Sequence, residues 1–182
     1  MSLESKNWEA EGLELDEAMC IDLAATDHIV FRETLENFAG THRYQVITLF
    51  DVIEHIPDID VAFKQLNDLL EEGGIVVIVT PDYNSMQRKL LGKKWFQYKP
   101  IEHIQYFTKE SITSFAGRNN FQLVHYSSCG QYSDANFLVN RLSYYRFAIL
   151  SKVFNFFLKR LGLSNRFFYT DTGSMFAVFK KI

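Results

Sequence analysis

The sequence predicts an α/β fold, a doubly wound sheet flanked by helices, and three observations carry that prediction. Two short apolar runs, VITLF at 46–50 and IVVIVT at 75–80, have the length and composition of strands buried on both faces of a parallel sheet. Between them, residues 58–72 place Val61, Leu66, Leu69 and Leu70 on one side of a helix. Further strand-like and helix-like segments then alternate along the chain, the pattern of βαβ units.

The elements follow in order. Residues 8–15 read as a short strand ending near Glu14, and Asp16 is placed to cap a helix, DEAMCIDLAA, with Glu17 in its first turn. HIVFR (28–32) is a second short strand, and 33–40 a loop. After VITLF and the 58–72 helix, Gly73-Gly74 predicts the helix stop, because both glycines tolerate a left-handed backbone. Residues 81–107 are long, irregular and aromatic, with Trp95 among them. Thr108 caps the helix KESITSFAGRN, residues 121–127 form a strand, 136–163 are helical, and 174–181 alternate as a final strand, placed to return antiparallel.

Composition narrows the class. At 182 residues and 47% hydrophobic the chain can build one core, so residues 1–182 are expected as a single domain. A net charge of −3 argues against a globally basic nucleic-acid binder. Cys20 and Cys129 are too few and too far apart for a disulfide framework or zinc site, pointing to a reducing cytoplasm. No apolar run reaches the ~20 residues of a membrane span, and MSLESKNWEAEG lacks the apolar core of a signal peptide.

The stretch YQVITLFDVIEHIPD is the most informative. Its apolar run ends at Asp51, Glu54 and His55 follow, and Pro57 opens the next segment. Ligands of such sheets bind outside the carboxyl ends of the strands, so two carboxylates and an imidazole arrive where chemistry is usually done. The plain structural alternative is that Asp51 caps the turn while Glu54 and His55 are solvated.

With these segments in place the chain resembles class I S-adenosylmethionine-dependent methyltransferases, nearest to ubiquinone-biosynthesis-type and other small-molecule O-methyltransferases. The resemblance rests on EGLELDEAM, FRETLENF, YQVITLFDVIEHIPD, LNDLLEEGGIVVIVTPDYNS and, from Trp95-Phe96 on, IEHIQYFTKESI, in order from about Trp8 to Ser127. It implies a Rossmann-like sheet with S-adenosylmethionine as cofactor. Glu14 would accept the ribose hydroxyls, Leu15 would lie on the adenine, and Thr34 and Leu35 would pack on the adenine edge. Phe50 and Asp51 would flank the methyl-donor end. Gln45 departs from the Asp common in the family just before this apolar run. His55 would be the general base, an imidazole being suited to proton removal near neutral pH, with Glu54 and His103 beside it. No metal is the primary expectation. The secondary one is a divalent ion on Asp51, Glu54, His55 and His103, a set that also resembles the metal site of small-RNA 3′-terminal 2′-O-methyltransferases. No base-stacking module is evident, so a small or lipid-linked methyl acceptor is expected rather than RNA.

One family feature has no counterpart. The glycine-rich turn after the first strand, acidic-x-Gly-x-Gly-x-Gly, is not found among the nine glycines. The expected fold is therefore N-terminally truncated: first strand, glycine loop and most of the first helix would precede Met1, the second and fourth family strands would lose their shared neighbour, and cofactor affinity would suffer. Direct pairing of those two strands, or a strand from a partner chain, would fill the gap.

Residues 134–170 read as a helical insertion. Between Asp134 and Asp171 there are six Lys or Arg and no acidic residue, interleaved with Phe, Leu and Tyr. Packing on the core, a lid, a homodimer interface and peripheral contact with an anionic membrane through 137–166 all fit that pattern. The functional expectation is an S-adenosylmethionine-dependent methyltransferase, cytoplasmic or membrane-associated. The alternative is a non-catalytic methyltransferase-like binding or assembly domain, and a nucleotide-binding dehydrogenase comes third.

Overall fold

The structure, a computed structural model, describes residues 8–26, 28–40, 42–144, 148–162 and 166–182. The signal-peptide reading falls mostly on 1–7, outside the described residues, and parts of the insertion (145–147 and 163–165) lie outside them too.

The expected strand–helix alternation is present. Strand β1 (Glu11–Leu13) leads into helix α1 (Glu17–Ala24), and Asp16 caps it by accepting from the Met19 amide. Strand β2 (Ile29–Phe31) follows, then β3 (Tyr44–Phe50), a 3-10 turn at Ile53–His55 and α2 (Ile59–Leu69), capped by Asp58. Strand β4 (Leu70–Pro81), α3 (Met86–Leu91), α4 (Lys109–Arg118) and β5 (Phe121–Asp134) come next. Thr108 and Ser111 form a reciprocal capping box at the start of α4. The insertion, expected to be helical over 136–163, is described as helices α5 (Ala135–Tyr144) and α6 (Ala148–Arg160). Strand β6 (Phe167–Lys181) closes the chain.

The strands form two sheets, a parallel pair β1-β2 and a four-stranded sheet ordered β3-β4-β6-β5. Strand β3 runs parallel to β4, whereas β6 is antiparallel to both β4 and β5, as the sequence suggested. Of the ways foreseen to fill the gap, direct pairing is not used: β1 and β3 belong to separate sheets, and among the described residues β3 is an edge. The two units are latched by side chains. The Tyr44 hydroxyl at the start of β3 donates to the Glu11 carboxylate at the start of β1, and His42 Nε2 lies 3.5 Å from the same carboxylate.

The core occupies one face of the larger sheet. Leu49, Val76, Ile78, Ala177 and Phe179 meet Phe63 and Leu66 of α2 and Ile112 and Ala116 of α4. The other face is thinner, so burial of β3 on both faces is not realised. Leu49 is buried, but Thr48 is exposed and Phe50 is 56% exposed. Gly73-Gly74 also differs from expectation. Helix α2 ends earlier, at Leu69, and the glycines sit within β4, where Gly73 (φ 75°) accompanies a register shift against β3.

The Tyr44–Glu11 latch gives a pH prediction. Burial, reinforced by Glu11, pushes the Tyr44 phenol up to about 12. An acid raised in the folded state keeps its contribution below the unfolded value, ~10 for tyrosine, and loses it as pH rises toward the folded one. Between those values, β1 and β2 amides are expected to exchange faster relative to those of β4 and β6. Tyr44→Phe should give about 3–10-fold faster exchange in β1-β2 already at neutral pH, the equivalent of one hydrogen bond of ~1 kcal/mol. Hydrogen–deuterium exchange measures both, and unchanged β1-β2 protection in the variant rejects the latch.

Candidate active site

The parallel strands β3 and β4 end at Phe50 and Pro81, and the candidate chemistry gathers just beyond. Asp51 adopts φ 53°, a left-handed backbone uncommon outside glycine, and its amide donates to Val79 O at 2.9 Å. This twist turns the chain out of β3 into the 3-10 turn that carries Glu54 and His55. His103 arrives from the irregular segment before α4, which is tied to the turn where the Ile104 and Gln105 amides donate to Glu54 O at 2.9 and 3.0 Å.

Glu54, His55 and His103 each offer a ligand or proton-accepting atom, all within 4.8 Å of one another. The two imidazoles meet edge-on, with ring centroids 5.0 Å apart. In each of the three residues one polar atom is held by a hydrogen bond. Glu54 is 1% exposed; its Oε2 accepts from the Thr80 hydroxyl at 2.8 Å, while Oε1 is buried without a partner. His103 is 5% exposed, bonds the Gln97 backbone, and leaves Nδ1 buried and unpaired. His55 is exposed, with Nδ1 2.7 Å from Glu102 O. A carbonyl only accepts, so Nδ1 carries the proton and the lone pair lies on Nε2.

Electrostatics follow from burial. Burial, helped by Asp51, raises Glu54 above its ordinary carboxylate value, against the opposing pull of its hydrogen bonds and His55. Burial first, and His55 second, lowers His103 and favours its neutral form. A cation on Glu54, His55 and His103 would relieve both, since it favours an ionised carboxylate and neutral imidazoles. Asp51 acts on Glu54 through its charge but is not part of the three-residue cluster, so three of the four residues named for a metal come together.

The residues expected around the cofactor divide. Phe50 and Asp51 lie at the end of β3, next to the cluster. Glu14 and Leu15 follow β1, and Thr34 and Leu35 follow β2, the strands of the smaller sheet. The Glu14 carboxylate accepts from the Leu15 and Asp16 amides at 2.7 and 2.8 Å, which shapes its own loop. Leu15 is exposed, and Leu35 packs against the main core. A concavity of about 250 Å³ lined by Gly40, His42, Arg43, Asp68 and Leu69 lies at the opposite, amino-terminal end of β3 and β4.

Sequence reasoning missed several parts. Thr80 anchors Glu54, and Glu102 orients His55 through its carbonyl. Tyr106 lies 6.1 Å from the His103 ring and stacks on Tyr98, while Arg88 sits over both Tyr83 and Tyr98. The tyrosines were visible as an aromatic-rich loop, but nothing in their spacing pointed to Arg88.

A partly parallel α/β sheet with carboxylates and imidazoles at its carboxyl edge defines a Rossmann-like protein with a candidate proton-transfer site. A family model described as a methyltransferase domain matches residues 2–126. The chain belongs to that family, the class I S-adenosylmethionine-dependent methyltransferases. A comparison with curated proteins finds no match. Solved structures share the fold at low identity. An S-adenosylmethionine-dependent methyltransferase from Thermotoga maritima is 13% identical, with a TM-score of 0.59 over 94% of this chain and 72% of that one. One from Methanosarcina mazei is 11% identical, with a TM-score of 0.58 over 97% and 84%. The N-methyltransferase NodS from Bradyrhizobium japonicum, solved with S-adenosyl-L-homocysteine, is 10% identical, with a TM-score of 0.52 over 94% and 65%.

Proposed function

We propose that this site transfers the methyl group of S-adenosylmethionine to an oxygen of a small or lipid-linked acceptor, with His55 as general base. The observation that carries the reading is the His55–Glu102 hydrogen bond, which directs the Nε2 lone pair away from the backbone in an exposed position at the strand ends. The acceptor oxygen attacks the sulfonium methyl in line, the carbon–sulfur bond breaks, and the hydroxyl proton passes to Nε2, giving an ether and S-adenosylhomocysteine. Holding the nucleophile close to the methyl supplies most of the acceleration, and the base adds a smaller factor. Glu14, Leu15, Thr34, Leu35, Phe50 and Asp51 would line the cofactor, with Glu14 on the ribose.

The glycine-rich turn is not among these residues, and the gap between β1 and β3 is where the strand leading into it would pair. A polypeptide of these 182 residues is therefore expected to bind S-adenosylmethionine more weakly than ~0.1 mM, less than about −5.5 kcal/mol. Calorimetry tests this, and micromolar binding would sink it. Supplying a strand and Gly-x-Gly turn by fusion to the amino terminus should restore binding and S-adenosylhomocysteine formation with a phenolic acceptor. Binding restored without turnover on any hydroxyl acceptor would instead favour a non-catalytic binding domain.

A divalent cation on Glu54, His55 and His103 is a second reading, favoured by the grouping of the three residues and by the two buried unpaired atoms, Glu54 Oε1 and His103 Nδ1. The two readings compete for the same lone pair, His55 Nε2.

A further inference from the structure

We propose that α6 docks this protein on an anionic phospholipid surface, lying in the plane of the bilayer interface. The observation is a helix packed on one side only. Its inner face holds Ser151 and Leu158, 6% and 5% exposed, and the Ser151 hydroxyl donates to Val139 O of α5 at 3.0 Å. At 100° per residue, Ile149, Val153 and Phe156 fall on the opposite side. They are 82%, 48% and 65% exposed, and Phe157 beside them is 55% exposed. A ridge of this kind is normally covered in a soluble protein.

Charge selects the cover. Lys152, Lys159 and Arg160 are exposed along and beside the ridge, and Arg166 follows the helix. The sequence places six cations and no acidic residue between Asp134 and Asp171, in a chain whose net charge is −3, so the remainder is strongly acidic. A symmetric contact with a second copy would bring two such cationic stretches together, which is unfavourable. An anionic lipid surface satisfies both features: the cations meet headgroup phosphates while the phenylalanines enter the acyl boundary. Aromatic groups continue onto the β5–β6 hairpin that carries the helices. There Phe167 is exposed and the Tyr132 and Tyr169 rings meet at 5.4 Å, residues suited to a boundary between polar and apolar phases. Helix α6 has 13 residues, about 20 Å in length, too short for a hydrocarbon core of ~30 Å. No helix among the described residues is long and apolar enough to cross a membrane, so the docking is interfacial.

Co-sedimentation with sucrose-loaded vesicles tests the proposal. Binding is expected on 1:1 phosphatidylcholine/phosphatidylglycerol, at least tenfold tighter than on phosphatidylcholine alone, and weakened by salt. Removing a cation near the surface costs about fivefold, so Lys159→Glu with Arg160→Glu should lower affinity more than tenfold. Phe156→Ser with Phe157→Ser should abolish binding, with circular dichroism as the folding control. Should that double variant not fold, Phe156→Trp gives a gain of signal. Its emission is expected to shift to the blue on anionic vesicles and to be quenched by brominated acyl chains. Absence of binding to anionic vesicles overturns the proposal, as does an F156W emission that ignores them. A concentration-dependent dimer in sedimentation equilibrium, lost in the Phe156/Phe157 double variant and unaccompanied by vesicle binding, assigns the face to a second copy and also overturns it.

Discussion

Replacing His55 with alanine is expected to lower methyl transfer at saturating S-adenosylmethionine by about 10²–10⁴-fold, the usual contribution of a positioned general base. The change should act on chemistry rather than folding. His55 is exposed, and its side chain makes one hydrogen bond, to Glu102 O, worth about 1 kcal/mol. Four of the residues proposed for the cofactor, Glu14, Leu15, Thr34 and Leu35, follow β1 and β2 rather than the turn of His55, so cofactor affinity in a binding-competent form should change far less than turnover. Chelation separates the two roles available to Nε2. With His55 as base, EDTA leaves the wild-type rate unchanged and Glu54→Gln keeps activity within about tenfold. With a bound cation, EDTA removes the activity, Mg²⁺ or Mn²⁺ restores it, and Glu54→Gln weakens that restoration. A His55→Ala protein with undiminished turnover would discard both roles.

The largest structural effect is expected at Phe63. It is fully buried on α2 between the rings of Phe121 and Phe179, at centroid distances of 5.9 and 6.2 Å. Truncation to alanine removes apolar contact and leaves a cavity among three elements that cannot easily collapse, at a cost of about 3–5 kcal/mol. Domains of this kind have ~5–15 kcal/mol in total, so the variant should be close to unfolding at physiological temperature. Its urea midpoint should fall by about 1–3 M. Val61, which the sequence placed on the apolar side of the same helix, is instead exposed, the buried positions being Ile59, Ala62, Phe63, Leu66 and Leu69, so Val61→Ala should move stability by less than about 0.5 kcal/mol. Equal effects at the two positions would mean that α2 does not pack as described. Because α2 begins just after the turn that carries Glu54 and His55, loss of Phe63 is also expected to blur the site.

Local features were legible in the sequence, and pairing was not. Asp16, Asp58 and Thr108 were readable as caps, or as the residues opening their helices, because a cap needs only its own next turn. VITLF was readable as a strand, but its place at an edge depends on what lies beyond residue 50 in space, which a run of five residues does not encode. Gly73-Gly74 misled because glycine serves both helix ends and irregular strands, and the choice between them was made by pairing with β3. In the site, Glu54, His55 and His103 stood out by residue type. Thr80 looked like the end of an apolar run, and Glu102 works through a backbone carbonyl, a role with no side-chain signature.

The free edge of β3 has a practical consequence for handling the protein. No strand among the described residues pairs with it, and along Val46–Phe50 the run has no Lys, Pro or other gatekeeper. Edges of that kind recruit strands from neighbouring molecules, so the polypeptide should have a low solubility ceiling and a growing thioflavin signal on storage at high concentration. A lysine at Thr48, whose side chain already faces solvent, should raise that ceiling with little effect on the core.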